Sequence, residues 1–141
     1  MKVQIVNKSN NPLPEYASIL ASGMDVRANE VCIVKAHAQA IVGTGLFVAI
    51  PEGYEIQVRP RSGLAAKQGI TVLNSPGTID ADYRGEIKVI LVNHSGKDVV
   101  VNVKDRIAQL VLSKVPHIEW ESVDELPSTE RGEGGLGSTG N

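Results

Sequence analysis

Residues 77–87 read GTIDADYRGEI and carry five side chains that could do chemistry within seven positions. Asp80 and Asp82 offer carboxylates that can accept a proton or a hydrogen bond, and Tyr83 offers a flat ring with a hydroxyl. In an extended strand the two aspartates would share one face and Tyr83 would lie on the other. A bend would bring Asp80 and Tyr83 to one ligand. Asp82 would then be left for structural work, pairing with Arg84 or with another subunit.

The stretch RPRSGLA (59–65) has the composition of an anion-binding turn. Arg61 supplies a forked donor, Ser62 supplies a hydroxyl, and the turn through Gly63 can begin a short helix whose N–H groups point outward. The commoner interpretation of such a stretch is a solvent-facing helix start. Taken alone, the stretch leaves both interpretations open.

The segment GLGSTGN (135–141) is similar to a phosphate-binding loop, but Asn141 stands where such a loop carries lysine. No strand precedes the segment and no helix follows it, so a Walker site is excluded. Closely spaced backbone N–H groups, two hydroxyls and the nearby Arg131 could still wrap a phosphate chain.

Two more stretches carry polar residues beside apolar strands. In ASGMDVRA (21–28), Asp25 follows a glycine at the start of a strand. In KDRIAQL (104–110), Gln109 lies inside an apolar strand, where a buried amide must find partners. Gln109 is therefore either a structural bridge or part of a polar site.

Several kinds of chemistry are disfavoured by the sequence. The three histidines are isolated and match no metal-ligand spacing, and there is no G-x-S-x-G turn for a nucleophilic serine. The formal net charge of −2 provides no basic field for nucleic acid or for an anionic membrane. The sequence contains no uninterrupted run of about 18 apolar residues, the length that a membrane-spanning helix needs. The lone Cys32, expected to be buried, favours a reducing compartment and hence the cytoplasm.

The pattern of short β-branched runs separated by turn formers predicts an all-β fold in a chain of 141 residues. The runs cover 3–6, 31–34, 40–50, 55–58, 70–73, 86–92, 99–103 and 107–112. With few aromatic residues, the core should consist mostly of Val, Ile, Leu and Ala. Only 62–69 is expected to be helical. Residues 1–126 should form the core domain, and the Gly-rich segment 127–141 a flexible arm.

Five stretches, in order along nearly the whole chain, resemble the five motifs of the trimeric deoxyuridine triphosphatases (dUTPases). They read ASGMDV, RPRSGLA, NSPGTIDADYRGE, DRIAQL and RGEGGLGSTG. The resemblance implies a jelly-roll-type β-barrel that forms a homotrimer with active sites at the subunit interfaces. It also implies Mg²⁺-dependent hydrolysis of dUTP to dUMP and pyrophosphate, which limits uracil in DNA and supplies dUMP for thymidylate synthesis. Two alternatives are an enzyme similar to dCTP deaminase and a non-catalytic nucleotide-binding trimer.

The resemblance also implies a role for each motif residue. Asp80 would activate a water for attack on the α-phosphorus, and Asp25 would contact the metal through water. Segment 74–88 would be a β-hairpin that receives the nucleoside, and the arm would close over the triphosphate. The implied substrate-binding residues are Arg61, Ser62, Gly63, Asn74, Thr78, Ile79, Tyr83, Lys88, Gln109, Arg131, Leu136, Gly137, Ser138 and Thr139.

One position departs from the family pattern. The fifth motif generally carries phenylalanine where this chain has Leu136, and that ring covers the uracil. Leucine can cover a base but cannot reproduce a stacking contact worth roughly 1–3 kcal/mol per base. We therefore expect weaker substrate capture than in a relative with phenylalanine, with the chemistry intact.

Overall fold

A computed structural model describes residues 1–135, which form eleven strands and one helix. The strands are β1 (Gln4–Asn7), β2 (Met24–Arg27), β3 (Cys32–Val34), β4 (Gln39–Gly43), β5 (Leu46–Ala49), β6 (Tyr54–Arg59), β7 (Ile70–Val72), β8 (Gly77–Ile79), β9 (Lys88–Asn93), β10 (Val99–Val101) and β11 (Arg106–Lys114). The helix is α1 (Ser62–Gln68). The predicted all-β class with one short helix is confirmed.

The strands pair antiparallel in four sheets. The largest has the order β2-β11-β6-β8, the next has the order β4-β9-β7, and the remaining pairs are β1-β5 and β10-β3. The pairings within residues 1–135 do not join into one closed ring of strands. The four-stranded sheet matters most for function, because it carries residues from four of the five motifs.

The core lies between the sheets and is aliphatic, as the composition predicts. The buried hydrophobic residues of the described chain are all Val, Ile, Leu or Ala. The strands bury alternate residues: β6 buries Ile56 and Val58, while β9 buries Val89 and Leu91. Each such side chain stabilises the fold by about 1.5–3 kcal/mol. Cys32 was expected to be buried but is only half-buried at the edge of this core.

The run 40–50, expected to be one strand, is broken into β4 and β5 at a tight turn. Gly45 has a φ of +71°, a left-handed conformation that side-chain-bearing residues rarely adopt. The buried hydroxyl of Thr44 donates a hydrogen bond of 2.6 Å to the Ile87 carbonyl. That bond fastens the turn to the start of β9, so a continuous strand is not formed.

Segment 74–88 was expected to be a hairpin, and this prediction is wrong. β8 pairs with β6, with Ile79 opposite Ile56, whereas β9 pairs with β4 and β7. The two strands therefore belong to different sheets, and residues 80–87 cross between those sheets. A sequence pattern reports alternation along a strand but not the partner of that strand, which is why the error arose.

Helix α1 agrees with the prediction for 62–69. It begins directly after Arg61 and ends at Gly69, whose φ of +67° is typical of a helix C-terminus. The Gly69 N–H donates to the Ala65 carbonyl at 3.1 Å. The helix links β6 to β7 and so holds Arg61 at one end of the four-stranded sheet.

After β11 the described chain contains no further helix or strand. Residues 116–133 are exposed. Among them, Trp120 and Leu126 are 86% and 84% exposed to solvent. Within residues 1–135, no helix has the length and apolarity needed to cross a membrane.

Candidate active site

The first group of predicted site residues is organised by the carboxylate of Asp25 on β2. Its Oδ1 lies 2.8 Å from Nε of Arg61, and its Oδ2 lies 3.1 Å from Nη1 of Arg106 at the start of β11. Arg61 also donates from Nη1 to the Arg106 carbonyl at 3.3 Å. One carboxylate thus orients two guanidinium groups that come from different elements.

The register of the central sheet explains why these residues meet. Gln109 on β11 pairs with Asp25 on one side and with Arg59 on the other. The Gln109 amide donates to the Pro60 carbonyl at 3.0 Å, which ties β11 to the residue before Arg61. Gln109 is half-buried, and the structure supports its interpretation as a structural bridge.

The two guanidiniums of this cluster suit a polyanion. Two guanidiniums face the one carboxylate of Asp25, and the side chains of Arg61 and Arg106 are 23% and 50% exposed. Planar guanidiniums bind phosphate oxygens with paired hydrogen bonds. Both arginines also line a cleft of about 280 Å³ beside α1. Ser62 and Gly63 are exposed at the beginning of that helix.

The second group of predicted residues lies on β8, on the 80–87 crossing and at the start of β9. The Tyr83 N–H donates to the Asp80 carbonyl at 3.2 Å, so this segment bends as expected. Both side chains are exposed. Asn74, Thr78 and Lys88 are also exposed, while Ile79 is half-buried.

The contacts of the second group differ in part from expectation. Arg84 donates from Nη1 to the carbonyls of Ala81 and Tyr83 at 2.7 and 2.9 Å, rather than pairing with Asp82. Lys88 Nζ lies 3.9 Å from Glu86 Oε2. Arg84 therefore stabilises the backbone of the bend.

The two groups are not joined within one chain. β8 runs antiparallel to β6 and ends where Ile79 faces Ile56, so Asp80 points away from the end of β6 that carries Arg61. At about 3.3 Å per strand residue, the separation of Asp80 and Arg61 along the sheet is roughly 15–20 Å. A single chain therefore presents two incomplete half-sites.

Comparisons with known proteins agree on one family. The dUTPase family model matches residues 9–140. The chain belongs to the dUTPase family. A deoxyuridine 5′-triphosphate nucleotidohydrolase of Finegoldia magna is 52% identical over 99% of both chains. Another from Fusobacterium nucleatum is 54% identical over 99% of this chain and 97% of its own.

Solved dUTPase structures share the fold. The dUTPase of Staphylococcus bacteriophage 80alpha, solved with dUPNHPP, superimposes with a TM-score of 0.87 at 26% identity over 99% of each chain. A variant dUTPase of phage phi11 of S. aureus, described with a structural Mg(II) ion, superimposes with a TM-score of 0.81. Its sequence is 24% identical, and the match covers 91% of this chain and 100% of its own. The family identification from the five motifs is confirmed, and with it the expectation of an enzyme.

The described residues offer few protein ligands for the Mg²⁺ expected of a dUTPase. Within residues 1–135, no group of three or more His, Cys, Asp or Glu side chains could hold a metal ion. Mg²⁺ usually keeps several waters and binds through one or two carboxylates together with substrate phosphates. Both Asp25 oxygens already accept hydrogen bonds from guanidiniums, so Asp25 would contact the ion through water rather than directly.

Other dUTPase motif residues lie in the C-terminal segment. Arg131 is exposed, and its Nε donates to the Gly134 carbonyl at 2.8 Å. Leu136, Gly137, Ser138 and Thr139 lie outside the described residues, so their expected roles stay predictions.

Sequence reasoning missed Arg106 as a site residue. Its position directly after Asp105, just before an apolar strand, indicated only a turn. The available signal was the single arginine of DRIAQL, the motif that had already supplied Gln109.

Proposed function

We propose that this protein hydrolyses dUTP to dUMP and pyrophosphate. The observation that carries the proposal is the pairing of Arg61 and Arg106 on the single carboxylate of Asp25. This cluster offers two forked guanidinium donors to a triphosphate. The names of the bacterial relatives, and the dUPNHPP bound by the phage neighbour, support deoxyuridine triphosphate as the substrate.

In the proposed complex the nucleoside contacts the second half-site. Asn74, the backbone near Thr78 and Ile79, and Lys88 read the edge of the uracil. The donor–acceptor pattern of this slot rejects cytosine, and lack of space for a methyl group rejects thymine. The Tyr83 ring faces the sugar and leaves no room for a 2′-hydroxyl.

The phosphates contact the first half-site. Arg61, Ser62 and Gly63 hold the α- and β-phosphates, with Arg106 adding a second guanidinium beside them. Bound Mg²⁺ supplies charge neutralisation and fixes the geometry of the triphosphate. Asp25 keeps both guanidiniums oriented and contacts the metal through water.

Asp80 accepts a proton from the water that attacks the α-phosphorus. An aspartate is by itself a weak base, so most of the acceleration comes from positioning and from electrostatic stabilisation of the phosphates. In addition to bridging β11 to Pro60, Gln109 fixes the position of the water or of the leaving group. The charge that develops on the leaving pyrophosphate is held by the arginines.

The arm completes the site in this proposal. Segment 127–141 closes over the nucleotide, with Arg131, Gly137, Ser138 and Thr139 at the γ-phosphate and Leu136 over the base. The lone Cys32 favours a reducing compartment, which supports the cytoplasm as the place of action.

We propose a homotrimer, as the family resemblance implies; the separation of the half-sites supports an assembly in which Asp80 of one chain meets the Arg61 cluster of another. Exposed apolar residues such as Ile19, Trp120 and Leu126 are available for subunit contacts. Sedimentation should therefore give the mass of three chains of 15.0 kDa each, and activity should fall on dilution to monomers. A stable monomer with full activity would contradict the shared site.

The reaction is tested by pyrophosphate release from dUTP, dCTP, dTTP and UTP, each with and without Mg²⁺. We expect rapid, Mg²⁺-dependent turnover of dUTP alone. Ammonia release from dCTP would favour the deaminase alternative. Binding of dUTP without turnover would favour a non-catalytic trimer.

A further inference from the structure

The side chain of Tyr83 is folded back across the chain that follows it. Its hydroxyl donates a hydrogen bond of 3.0 Å to the Glu86 carbonyl, three residues later. The ring therefore crosses Gly85, and 43% of the tyrosine remains exposed. The hydroxyl end of the ring lies against the backbone, and the exposed part is available to a ligand.

Gly85 is the residue that makes this placement possible. A Cβ at position 85 would overlap Oη and Cζ of Tyr83 and would lie 2.8 Å from Cε2. The φ of Gly85 lies outside the left-handed region, so the backbone itself does not require glycine there. The requirement comes from the tyrosine ring.

The backbone beneath the ring is firmly held. Glu86 Oε1 accepts a hydrogen bond of 2.8 Å from the Gly45 N–H. Ile87 is fully buried, donates to the Leu46 carbonyl at 2.8 Å and accepts from the Thr44 hydroxyl. An added methyl at position 85 would therefore be relieved by movement of the exposed ring rather than of the backbone.

We propose that Gly85 is a positioning residue that sets the place of the Tyr83 ring and, through it, the discrimination between deoxyribose and ribose nucleotides. This inference rests on the proposed function, in which Tyr83 faces the sugar. A ring held against Gly85 forms a steric wall at a defined distance from the sugar, and such a wall acts by excluding the wrong substrate. A displaced ring loses contact with deoxyribose and opens space for a 2′-hydroxyl.

The test compares kcat/KM for dUTP and UTP in the wild-type protein, Gly85→Ala and a matched control. Gly96→Ala is the control, since its added methyl lies 4.0 Å from its nearest neighbour, Nε2 of His37. We expect Gly85→Ala to lower the ratio of dUTP to UTP turnover at least about tenfold, and Gly96→Ala to leave it unchanged. An unchanged ratio, or an equal loss for both nucleotides, would overturn the inference.

A double-mutant cycle shows whether the effect passes through the ring. In a Tyr83→Ala background, Gly85→Ala should cause no further change in the ratio. An equal decrease of the dUTP-to-UTP ratio in the Tyr83→Ala background would overturn the inference. If Gly85→Ala alone fails to fold, the double variant Tyr83→Ala/Gly85→Ala should fold and show a cooperative thermal unfolding transition. A double variant that also fails to fold, while Tyr83→Ala alone folds, would overturn the inference. A wild-type protein that does not hydrolyse dUTP would instead refute the proposed function, and this inference with it.

Discussion

Replacement of Asp80 by asparagine should lower kcat for dUTP by about 10²–10⁴, the usual contribution of a positioned general base. Asparagine preserves the shape of the side chain and can still hydrogen-bond to water, but it cannot accept the proton. KM should change little, because the proposed role of Asp80 is in the chemical step. Steady-state kinetics at saturating Mg²⁺ measures both quantities.

The same loop supplies the control. Asp82 is an exposed carboxylate two residues further on, without an assigned role in the reaction. Asp82→Asn should retain activity close to that of the wild-type protein, and both variants should unfold at the wild-type temperature. Equal losses in the two variants would mean that general loop charge, rather than proton transfer at Asp80, is responsible.

Replacement of Arg61 by alanine should lower kcat/KM for dUTP by about 10²–10³, as expected for loss of one preorganised donor to developing charge. Two effects combine in this variant. The phosphates lose a forked cation, and Asp25 loses its 2.8 Å partner and can turn fully to Arg106. Arg61→Lys should recover only part of the loss, since an ammonium has the charge without the planar fork. Initial-rate kinetics over a range of dUTP concentrations measures the loss.

Arg59 is the matched control for Arg61. It lies two residues earlier, is exposed, and directs Nε and Nη2 to Gln57 Oε1 at 2.9 and 2.6 Å. Arg59→Ala should leave kcat/KM near the wild-type value. Similar losses in Arg59→Ala and Arg61→Ala would show that the phosphate site depends on overall positive charge rather than on the Asp25 cluster.

Local features of the fold and site could be predicted because their causes are local. Helix α1 ends at a glycine that its own sequence supplies, and the alternation of Ile56 and Val58 marks β6 without reference to any partner. The bend that joins Asp80 to Tyr83 was also expected from a short stretch.

Features that depend on pairing between distant segments could not be predicted in this way. The ion pair of Asp25 with Arg106 joins residues 81 positions apart, and it exists because β11 lies between β2 and β6. The partner of β8 was mistaken for the same reason. Alternation states which residues share a face, whereas the neighbour of a strand is chosen by the packing of the whole core.

The sequence by itself determined the family, the all-β class, the aliphatic core and most residues of the proposed site. Only the tertiary structure decided that Arg106 joins Arg61 on one carboxylate, that Gly85 lies beneath Tyr83, and that Asp80 is remote from Arg61 and Arg106 of its own chain. Motif residues are recognisable one by one because their chemistry resides in their side chains. Their distances are set by strand register and sheet order, which are properties of the folded chain as a whole.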